Sequence, residues 1–340
     1  MAATELTEIA KQMVAPGKGI LAADESDGTI QKRFKGINVE STEENRRAYR
    51  QMLFTTQGAE EFVSGVILFD ETIRQNGDDG TPLRETLAKK GILPGIKVDK
   101  GAKDLAGAPG EQVTEGLDGL RERLNEYREL GAKFTKWRAV IAIGDGLPSR
   151  YCIETNAHAL ARYAALSQEA GLVPIIEPEV LIDGSHSIGR CYEATEATLK
   201  EVYHQLFHQR VILEGTVLKP NMVVSGKSAG EQAGSEQVAE LTVKCLRNCV
   251  PAAVPGIVFL SGGLSEELAT AHLNAMNQIG PHPWELSFSY GRALQASALE
   301  AWKGEASNLP AGQEAFLHRA KMNGAARFGK YSDDLEKGAA

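Results

Sequence analysis

Residues 117–140, LDGLRERLNEYRELGAKFTKWRAV, contain both kinds of segment from which the rest of the chain is built. In Leu117–Leu130, apolar residues recur three and four positions apart with charged residues between them, and this pattern predicts an amphipathic helix. Phe134–Val140 is rich in aromatic and β-branched residues, which indicates a strand. The stretch therefore predicts a helix followed by a strand, the repeating unit of an α/β fold.

Seven further short runs have the composition of strands: Gly19–Ala23, Gly65–Phe69, Gly95–Val98, Val173–Ile176, Thr216–Leu218, Ile257–Leu260 and Leu286–Tyr290. The segments between the runs are long enough for helical crossovers, and Cys191–Phe207 is a second clear amphipathic segment. Eight such units predict an α/β fold, a single (β/α)8 TIM barrel with extra terminal helices in residues 1–15 and 293–328. A doubly wound sheet is the main alternative, but the chain has no clear glycine-rich nucleotide loop.

The composition is that of a globular chain, and it argues against several classes of partner. The 37 basic and 45 acidic side chains give a net charge of −8, whereas nucleic-acid binding requires a basic face. No apolar stretch approaches the roughly 20 residues that a membrane helix needs, and the N-terminus lacks a secretory apolar segment. The four cysteines are too sparse for a disulfide framework and are expected to be free thiols. We therefore expect a cytoplasmic protein, with residues 1–340 forming a single barrel domain with a short C-terminal tail.

Charged and hydroxyl side chains are concentrated at the ends of the predicted strands. In chain order they are Asp24, Asp70 with Glu71, Lys97 with Asp99, Lys136 with Arg138, Glu177 with Glu179, Lys219, Ser261 and Arg292. Barrel enzymes build their active sites at the carboxyl ends of the strands, and burying a charge there without a partner or a task is costly. The pattern predicts an active site at this end of the barrel.

Lys219 is the candidate nucleophile. It ends an apolar run, and the following Pro220 favours an extended backbone at Lys219 itself. Desolvation and nearby cations both favour the neutral form of an amine, which can attack a carbonyl group. Because strand side chains alternate, Lys136 and Arg138 share one face, where Lys136 is the natural neighbouring cation and Arg138 suits a phosphate. A lysine that only makes a salt bridge at a strand end is the alternative interpretation of Lys219.

Glu177 and Glu179 also share one face of a predicted strand. Paired carboxylates can differ in pKa, so that one carries a proton while the other stays ionised. Formation of an imine needs such groups to donate and accept protons. Ion pairs of these glutamates with Lys136 or Arg138 are equally compatible with the pattern.

Two regions are candidates for binding phosphate. The loops Ser261–Gly263 and Ser289–Arg292 follow the seventh and eighth predicted strands, where barrels frequently bind phosphate through backbone amides. After the first strand, the hydroxyls of Ser26 and Thr29 could either cap a helix or hold a second phosphate. The sequence leaves both possibilities open.

One histidine pair has the spacing of metal ligands. His204 and His208 lie four residues apart in a predicted helix, with Glu201 one turn earlier. That helix should lie outside the barrel, far from the strand ends, and the other histidines form no ligand pattern with it. We therefore predict no metal site.

Long strings of this sequence resemble a known family: GKGILAADES, TEENRRAYRQ, SGVILFDET, PGIKVDKG, EGLDGL, AKFTKWRAV, VPIIEPEVL, LEGTVLKPNMV, FLSGG and SFSYGRALQASALEAW. They resemble the class I fructose-bisphosphate aldolases, in the same order and over nearly the whole chain. The resemblance implies a metal-independent enzyme without a cofactor, which cleaves fructose 1,6-bisphosphate reversibly to dihydroxyacetone phosphate and glyceraldehyde 3-phosphate and forms a homotetramer.

The resemblance also implies roles for individual residues. Lys219 would form the Schiff base, Glu177 would be the acid and base of imine formation, and Asp24 would orient the C4 hydroxyl. Two further residues would assist: Glu179 and Lys136. The phosphate near the ketone would contact Ser261, Gly262, Gly291 and Arg292. The other end of the sugar bisphosphate would contact Ser26, Thr29, Arg33, Lys97 and Arg138. At Thr29 many relatives carry serine, and the hydroxyl is kept.

One feature departs from the family pattern. Animal and plant members end in a mobile tail with a terminal tyrosine that assists proton exchange, whereas this sequence ends at Ala340, and Tyr331 lies too early to be its equivalent. We expect another group to take that step, or the step to limit turnover. Alternative activities are a lysine-dependent aldolase for a sedoheptulose bisphosphate or a monophosphate, a metal-dependent aldolase, and a non-catalytic barrel.

Overall fold

The computed structural model describes residues 2–338, with the side chain of Ala2 left out, and its strands build a closed barrel and a small hairpin. The strands are β1 (Gly19–Ala23), β2 (Val63–Leu68), β3 (Leu93–Lys97), β4 (Ala102–Asp104), β5 (Gln112–Thr114), β6 (Phe134–Ile141), β7 (Val173–Val180), β8 (Val217–Leu218), β9 (Gly256–Phe259) and β10 (Glu285–Tyr290). Around the barrel the order is β1-β10-β9-β8-β7-β6-β3-β2, with every neighbouring pair parallel. The strands β4 and β5 pair antiparallel outside the barrel.

Helices cover the barrel and extend beyond it at both ends. They are α1 (Ala2–Met13), α2 (Asp27–Gly36), α3 (Glu43–Thr55), α4 (Asp70–Arg74), α5 (Leu83–Lys89), α6 (Leu120–Glu129), α7 (Arg150–Glu169), α8 (Ile188–His208), α9 (Ser235–Cys249), α10 (Glu266–Gln278), α11 (Arg292–Trp302), α12 (Leu309–Ala326) and α13 (Asp333–Lys337). Short 3-10 helices lie at Ala59–Glu61, Leu213–Gly215 and Ala306–Asn308.

The (β/α)8 barrel predicted from the sequence is confirmed, since all eight predicted runs fall on the eight barrel strands. The extra terminal helices are present as α1, α11 and α12. The predicted helix at Leu117–Leu130 begins later, because Gly119 precedes it in a left-handed conformation with φ of 63°. The hairpin of β4 and β5 was not expected.

The interior of the barrel is filled from its amino-terminal end. Apolar side chains of α1, such as Leu6 and Met13, belong to the same buried cluster as Ile20, Phe134 and Val258 from the strands. The ring of Phe134 occupies space that no side chain at position 95 could share: a β-carbon on Gly95 would lie 2.2 Å from it. With one end packed in this way, the charged residues are collected at the carboxyl end of the barrel.

The four cysteines, Cys152, Cys191, Cys245 and Cys249, are free thiols, as expected from the sequence. Among the described residues, no helix is both long and apolar enough to cross a membrane. The terminal residue Ala340, on which the comparison with the family's C-terminal tyrosine rests, lies outside the described range.

Candidate active site

A cavity of about 430 Å³ opens at the carboxyl ends of the barrel strands. Every residue that the family resemblance assigns to the site lines this cavity: Asp24, Ser26, Thr29, Arg33, Lys97, Lys136, Arg138, Glu177, Glu179, Lys219, Ser261, Gly262, Gly291 and Arg292. They come from seven of the eight barrel strands or from the loops and helices that follow them. The closure of the barrel therefore brings together groups that are more than 260 residues apart in the chain.

Four buried charges form a continuous chain at the bottom of the cavity. The Lys136 Nζ lies 2.7 Å from Asp24 Oδ2 and 3.1 Å from Glu177 Oε2. The Lys219 Nζ lies 3.0 Å from Glu177 Oε1. The four side chains are only 4–12% exposed, and negative and positive groups alternate along the row Asp24, Lys136, Glu177, Lys219. We call this row the buried charge chain.

The two carboxyl groups of the buried charge chain are held ionised. Burial alone would raise the pKa of Asp24, but the charges of Lys136 and Lys219 outweigh it and bring this pKa well below its ordinary value of 3.8. For Glu177, too, burial raises the pKa, and the nearby cations, Lys136 first, bring it below its ordinary value of 4.5.

Burial alone would lower the pKa of Lys136, yet the carboxylates of Asp24 and Glu177 raise it above its ordinary value of 10.5. Lys136 is therefore a fixed cation that holds two carboxylates in place. This arrangement refines the sequence-based expectation for Lys136 and Lys219, because the carboxylate of Glu177 bridges the two amines.

The ion pairs considered from the sequence are also present. Glu179 pairs with Arg138 through its Oε2 and the guanidinium Nε, while Glu177 pairs with the two lysines. The parallel register of β6 and β7, with Arg138 opposite Glu177, places these groups side by side. The Arg138 side chain is 42% exposed and lines the cavity, so it can contact a bound anion without leaving Glu179.

The loop after β9 presents backbone amides to the cavity. Gly262 and Gly263 have φ of 56° and 97°, a left-handed conformation that side chains rarely adopt. Among the described residues, no acceptor receives a hydrogen bond from the N–H group of either glycine. Successive free amides of this kind form a concave site for an anion. Arg292 lies beside them at the start of α11, and its Nη2 would be 3.3 Å from a β-carbon on Gly263.

A second set of donors lies at the start of α2. Ser26 occupies the N-cap position, but its hydroxyl makes no capping bond to the backbone and lies 3.2 Å from the hydroxyl of Thr29. The alternative that Ser26 simply caps the helix is therefore not what the structure shows. Both hydroxyls remain available at a helix N-terminus, where the dipole favours an anion.

Two further cations, Arg33 and Lys97, line the cavity. Arg33 pairs with the buried carboxylate of Glu25, and its Nη2 would lie 3.3 Å from a β-carbon on Gly291. Gly291 thus leaves room for the guanidinium. Lys97 is held by Asp99, with its Nζ 2.7 Å from Oδ1.

Some lining residues had no role assigned to them from the sequence. Glu25 was not singled out, and Asp99 was noted only as a charge at a strand end. Both hold cations in position, and their place beside Arg33 and Lys97 follows only from the folded structure. Asp183 and Lys227 come from the loops after β7 and β8 and also line the cavity. Neither loop has a motif that marks these two residues in the sequence.

The charges after β2 do not belong to the site, although their position at a strand end suggested it. Asp70 and Glu71 begin α4 and do not line the cavity. Asp70 accepts hydrogen bonds from Arg74 and from the Tyr127 hydroxyl, and Glu71 pairs with Arg46. These carboxylates have structural partners, which corrects the expectation for this strand.

Two other candidate groups lie elsewhere. His204 and His208 form an exposed pair on α8 with their Nε2 atoms 3.1 Å apart, and neither lines the cavity. Tyr331 is buried outside the cavity, where its hydroxyl donates a 2.8 Å hydrogen bond to Glu336. Within residues 2–338, no group of three or more His, Cys, Asp or Glu residues is arranged to hold a metal ion.

Comparisons with known proteins agree with this geometry. A relative from Xanthomonas campestris pv. campestris, named probable fructose-bisphosphate aldolase class 1, is 60% identical over 332 residues, which are 97% of this chain and 99% of the relative. Fructose-bisphosphate aldolase 4, cytosolic, from Arabidopsis thaliana is 55% identical over 335 residues, which are 98% of this chain and 85% of that protein.

A solved structure gives the same result. It is a fructose-bisphosphate aldolase from Plasmodium falciparum in complex with TRAP and a small molecule inhibitor, which matches with a TM-score of 0.96 and 49% identity over 97% of this chain and 96% of that chain. The family model described as fructose-bisphosphate aldolase class-I matches residues 5–340. The chain therefore belongs to the class-I fructose-bisphosphate aldolase family.

Proposed function

We propose that this chain cleaves fructose 1,6-bisphosphate reversibly into dihydroxyacetone phosphate and glyceraldehyde 3-phosphate, through a Schiff base on Lys219. The buried charge chain carries the proposal, because it places a lysine amine against a carboxylate at 3.0 Å, with both side chains buried. An ion pair of this kind can also be purely structural. The pair of Lys219 and Glu177, however, lies in a cavity whose lining includes donors suited to phosphate.

The first stage forms the imine. Transfer of one proton from the Lys219 ammonium to Glu177 produces a neutral amine and a carboxylic acid in one step. The amine attacks the C2 ketone, and the carbinolamine hydroxyl leaves as water with a proton from Glu177. Once Lys219 is no longer a separate cation, one of the charges that lower the pKa of Glu177 is removed, so the acid form becomes accessible.

The second stage breaks the carbon–carbon bond. Asp24 is held ionised by Lys136 and accepts the proton of the C4 hydroxyl, while the electrons of the C3–C4 bond move into the iminium. Glyceraldehyde 3-phosphate leaves with the C4 carbonyl, and the enamine of dihydroxyacetone phosphate remains on Lys219. Protonation at C3 and hydrolysis of the imine complete the cycle. In this scheme, Lys136 positions the carboxylates of Asp24 and Glu177, and Glu179 positions the guanidinium of Arg138.

The two groups of donors support a substrate with phosphates at both ends. The amides of Gly262 and Gly263, with Arg292, would hold the phosphate next to the ketone. Ser26, Thr29 and three cations would hold the other phosphate, the cations being Arg33, Lys97 and Arg138. A bisphosphate therefore satisfies both ends of the cavity, whereas a monophosphate leaves one end empty.

We also propose that the protein is a cytoplasmic homotetramer and that residues 1–340 form one domain. The cytosolic relative from Arabidopsis thaliana supports the location, and the family resemblance supports the tetramer. The Phe207 side chain on α8 is 79% exposed and would be covered by a neighbouring subunit. Light scattering on the purified protein measures the assembly directly.

Trapping of the imine tests the proposed function. Borohydride reduction in the presence of dihydroxyacetone phosphate should leave a stable adduct on Lys219, located by peptide mass mapping. The adduct should disappear in Lys219→Met and persist in Lys103→Met, which removes an exposed lysine near the cavity. Absence of any adduct in the wild type, together with activity abolished by a chelator, would favour a metal-dependent aldolase instead. Absence of both adduct and activity would favour a non-catalytic barrel.

A further inference from the structure

Lys227 lies in the loop that joins β8 to α9, and the backbone fixes its position. Residues 219–234 form no helix or strand, yet this loop is anchored to the loop after β7. The backbone N–H groups of Gly226, Lys227 and Ser228 donate to the carbonyls of His186, Ile182 and Gly184, each at 2.9 Å. The backbone of Lys227 is therefore fixed relative to the loop after β7.

Gly226 makes this anchoring possible. A β-carbon at this position would lie 2.5 Å from the carbonyl oxygen of Gly184 and 2.9 Å from the backbone nitrogen of His186. No side chain fits in that space without moving the backbone. The close approach of the two loops, and with it the position of Lys227, therefore depends on glycine at 226.

The ammonium of Lys227 reaches the anion site on the ketone side. A β-carbon on Gly263 would lie 3.1 Å from Lys227 Nζ and 3.3 Å from Arg292 Nη2, so both cations lie beside the same glycine of the loop. The only carboxylate paired with Lys227 in the described part of the chain is Asp183, at 3.7 Å, and that side chain is 71% exposed. No described carboxylate pairs with Arg292. This corner of the cavity thus has two cations and little compensating negative charge.

We propose that Lys227 is a second cationic residue of the ketone-side phosphate site and that it sets the affinity for the C1 phosphate of the substrate. The proposal rests on the proposed function. A phosphate monoester carries a charge of about −1.5 to −2 at pH 7, which a single arginine balances only in part. Arg292 and Lys227 together match that charge, and the free amides of Gly262 and Gly263 supply further hydrogen bonds to the phosphate oxygens.

The test compares two sugars that differ in only one phosphate. Lys227→Met should raise KM for fructose 1,6-bisphosphate and for fructose 1-phosphate by the same factor, roughly 5- to 20-fold, because both carry the C1 phosphate. The value of kcat should change little, since the residue touches no reacting atom. Lys227→Arg should restore most of the affinity, and the charge-matched control Lys103→Met should leave both KM values unchanged.

Calorimetric titration with inorganic phosphate separates this inference from the proposed function. If the wild type turns over neither sugar, the proposed function fails, and the phosphate titration alone decides the role of Lys227. Weaker phosphate binding by Lys227→Met than by the wild type and Lys103→Met supports the assignment. Unchanged binding overturns it, and so does a KM that rises only for the bisphosphate, because that places Lys227 at the other phosphate.

Discussion

At the scale of single residues, Glu177 has the most demanding position, because its two oxygens contact the amines of both Lys136 and Lys219. We predict that Glu177→Gln lowers kcat by about 10²- to 10⁴-fold, since an amide can neither take the proton of the lysine nor return it to the departing hydroxyl. Steady-state kinetics should show this loss with a smaller change in KM. Glu193→Gln, which removes an exposed carboxylate on α8, is the matched control and should behave as the wild type. A kcat within a few-fold of the wild type for Glu177→Gln would exclude it as the acid.

The depressed pKa of Asp24 has a consequence for stability. Because the folded state holds the pKa of this carboxyl below its ordinary value of 3.8, the unfolded state binds more protons as the pH falls. Ionised Asp24 therefore stabilises the fold above that pH, and this contribution is lost progressively below about pH 5. Between pH 7 and about pH 3, Asp24→Asn should lose about 1 kcal/mol less stability than the wild type. Urea unfolding at several pH values measures the difference, and parallel pH dependences for the two proteins would refute it.

At the scale of elements, α2 and α3 are both preceded by a hydroxyl residue at the N-cap position, but only one of the two hydroxyls caps its helix. Thr42 caps α3 by accepting a 3.1 Å hydrogen bond from the Asn45 amide, whereas Ser26 at the start of α2 makes no such bond. We predict that Thr42→Ala destabilises the fold by about 1 kcal/mol and leaves KM unchanged. Ser26→Ala should do the reverse: stability changes little, while KM for fructose 1,6-bisphosphate rises roughly 10-fold and KM for fructose 1-phosphate does not. A loss of stability in Ser26→Ala with normal KM values would show that the serine is only a cap.

The strands show which features of the fold can be predicted from the sequence and which cannot. Buried parallel strands are nearly continuous apolar runs, so all eight were recognisable. The predicted strand Val173–Ile176 was too short, because Glu177 and Pro178 interrupt the apolar pattern that marks a strand. In the barrel, β7 continues to Val180, since the register with β6 pairs these residues with Arg138 and Ala139. The hairpin of β4 and β5 escaped notice because its strands have only three residues each.

At the scale of the whole molecule, the site depends on contacts between distant parts of the chain. The predicted site residues could be recognised because each stands at a strand end or in a distinctive string. Their partners could not: that Glu177 bridges two lysines, or that Lys227 and Arg292 both lie beside Gly263, depends on how eight strands close into a ring. Spacing along the chain contains no information about such distances. Asp70 illustrates the reverse case, a charge at a strand end whose partners are structural.

Arg327 joins the two ends of the chain beneath the barrel. Its side chain is only 1% exposed, and it donates hydrogen bonds to the carbonyls of Val14 and Leu286 and to the Glu285 carboxylate. We predict that Arg327→Met destabilises the protein by about 3–5 kcal/mol, because buried carbonyls lose their donor. The loss should appear as one shifted transition, seen at the same denaturant concentration by circular dichroism and by tryptophan fluorescence, if the chain is one domain.

The control for this prediction is Arg150→Met. The Arg150 side chain is 89% exposed and pairs with Glu154 one turn along α7, so its removal should have an effect below about 0.5 kcal/mol. For the folded fraction of Arg327→Met, kcat and KM should equal those of the wild type, since Arg327 does not line the cavity. A separate early transition that leaves the barrel folded would instead show that the terminal segments unfold independently. In that case Arg327 would stabilise the packing of the terminal segments but would not be needed for the stability of the barrel.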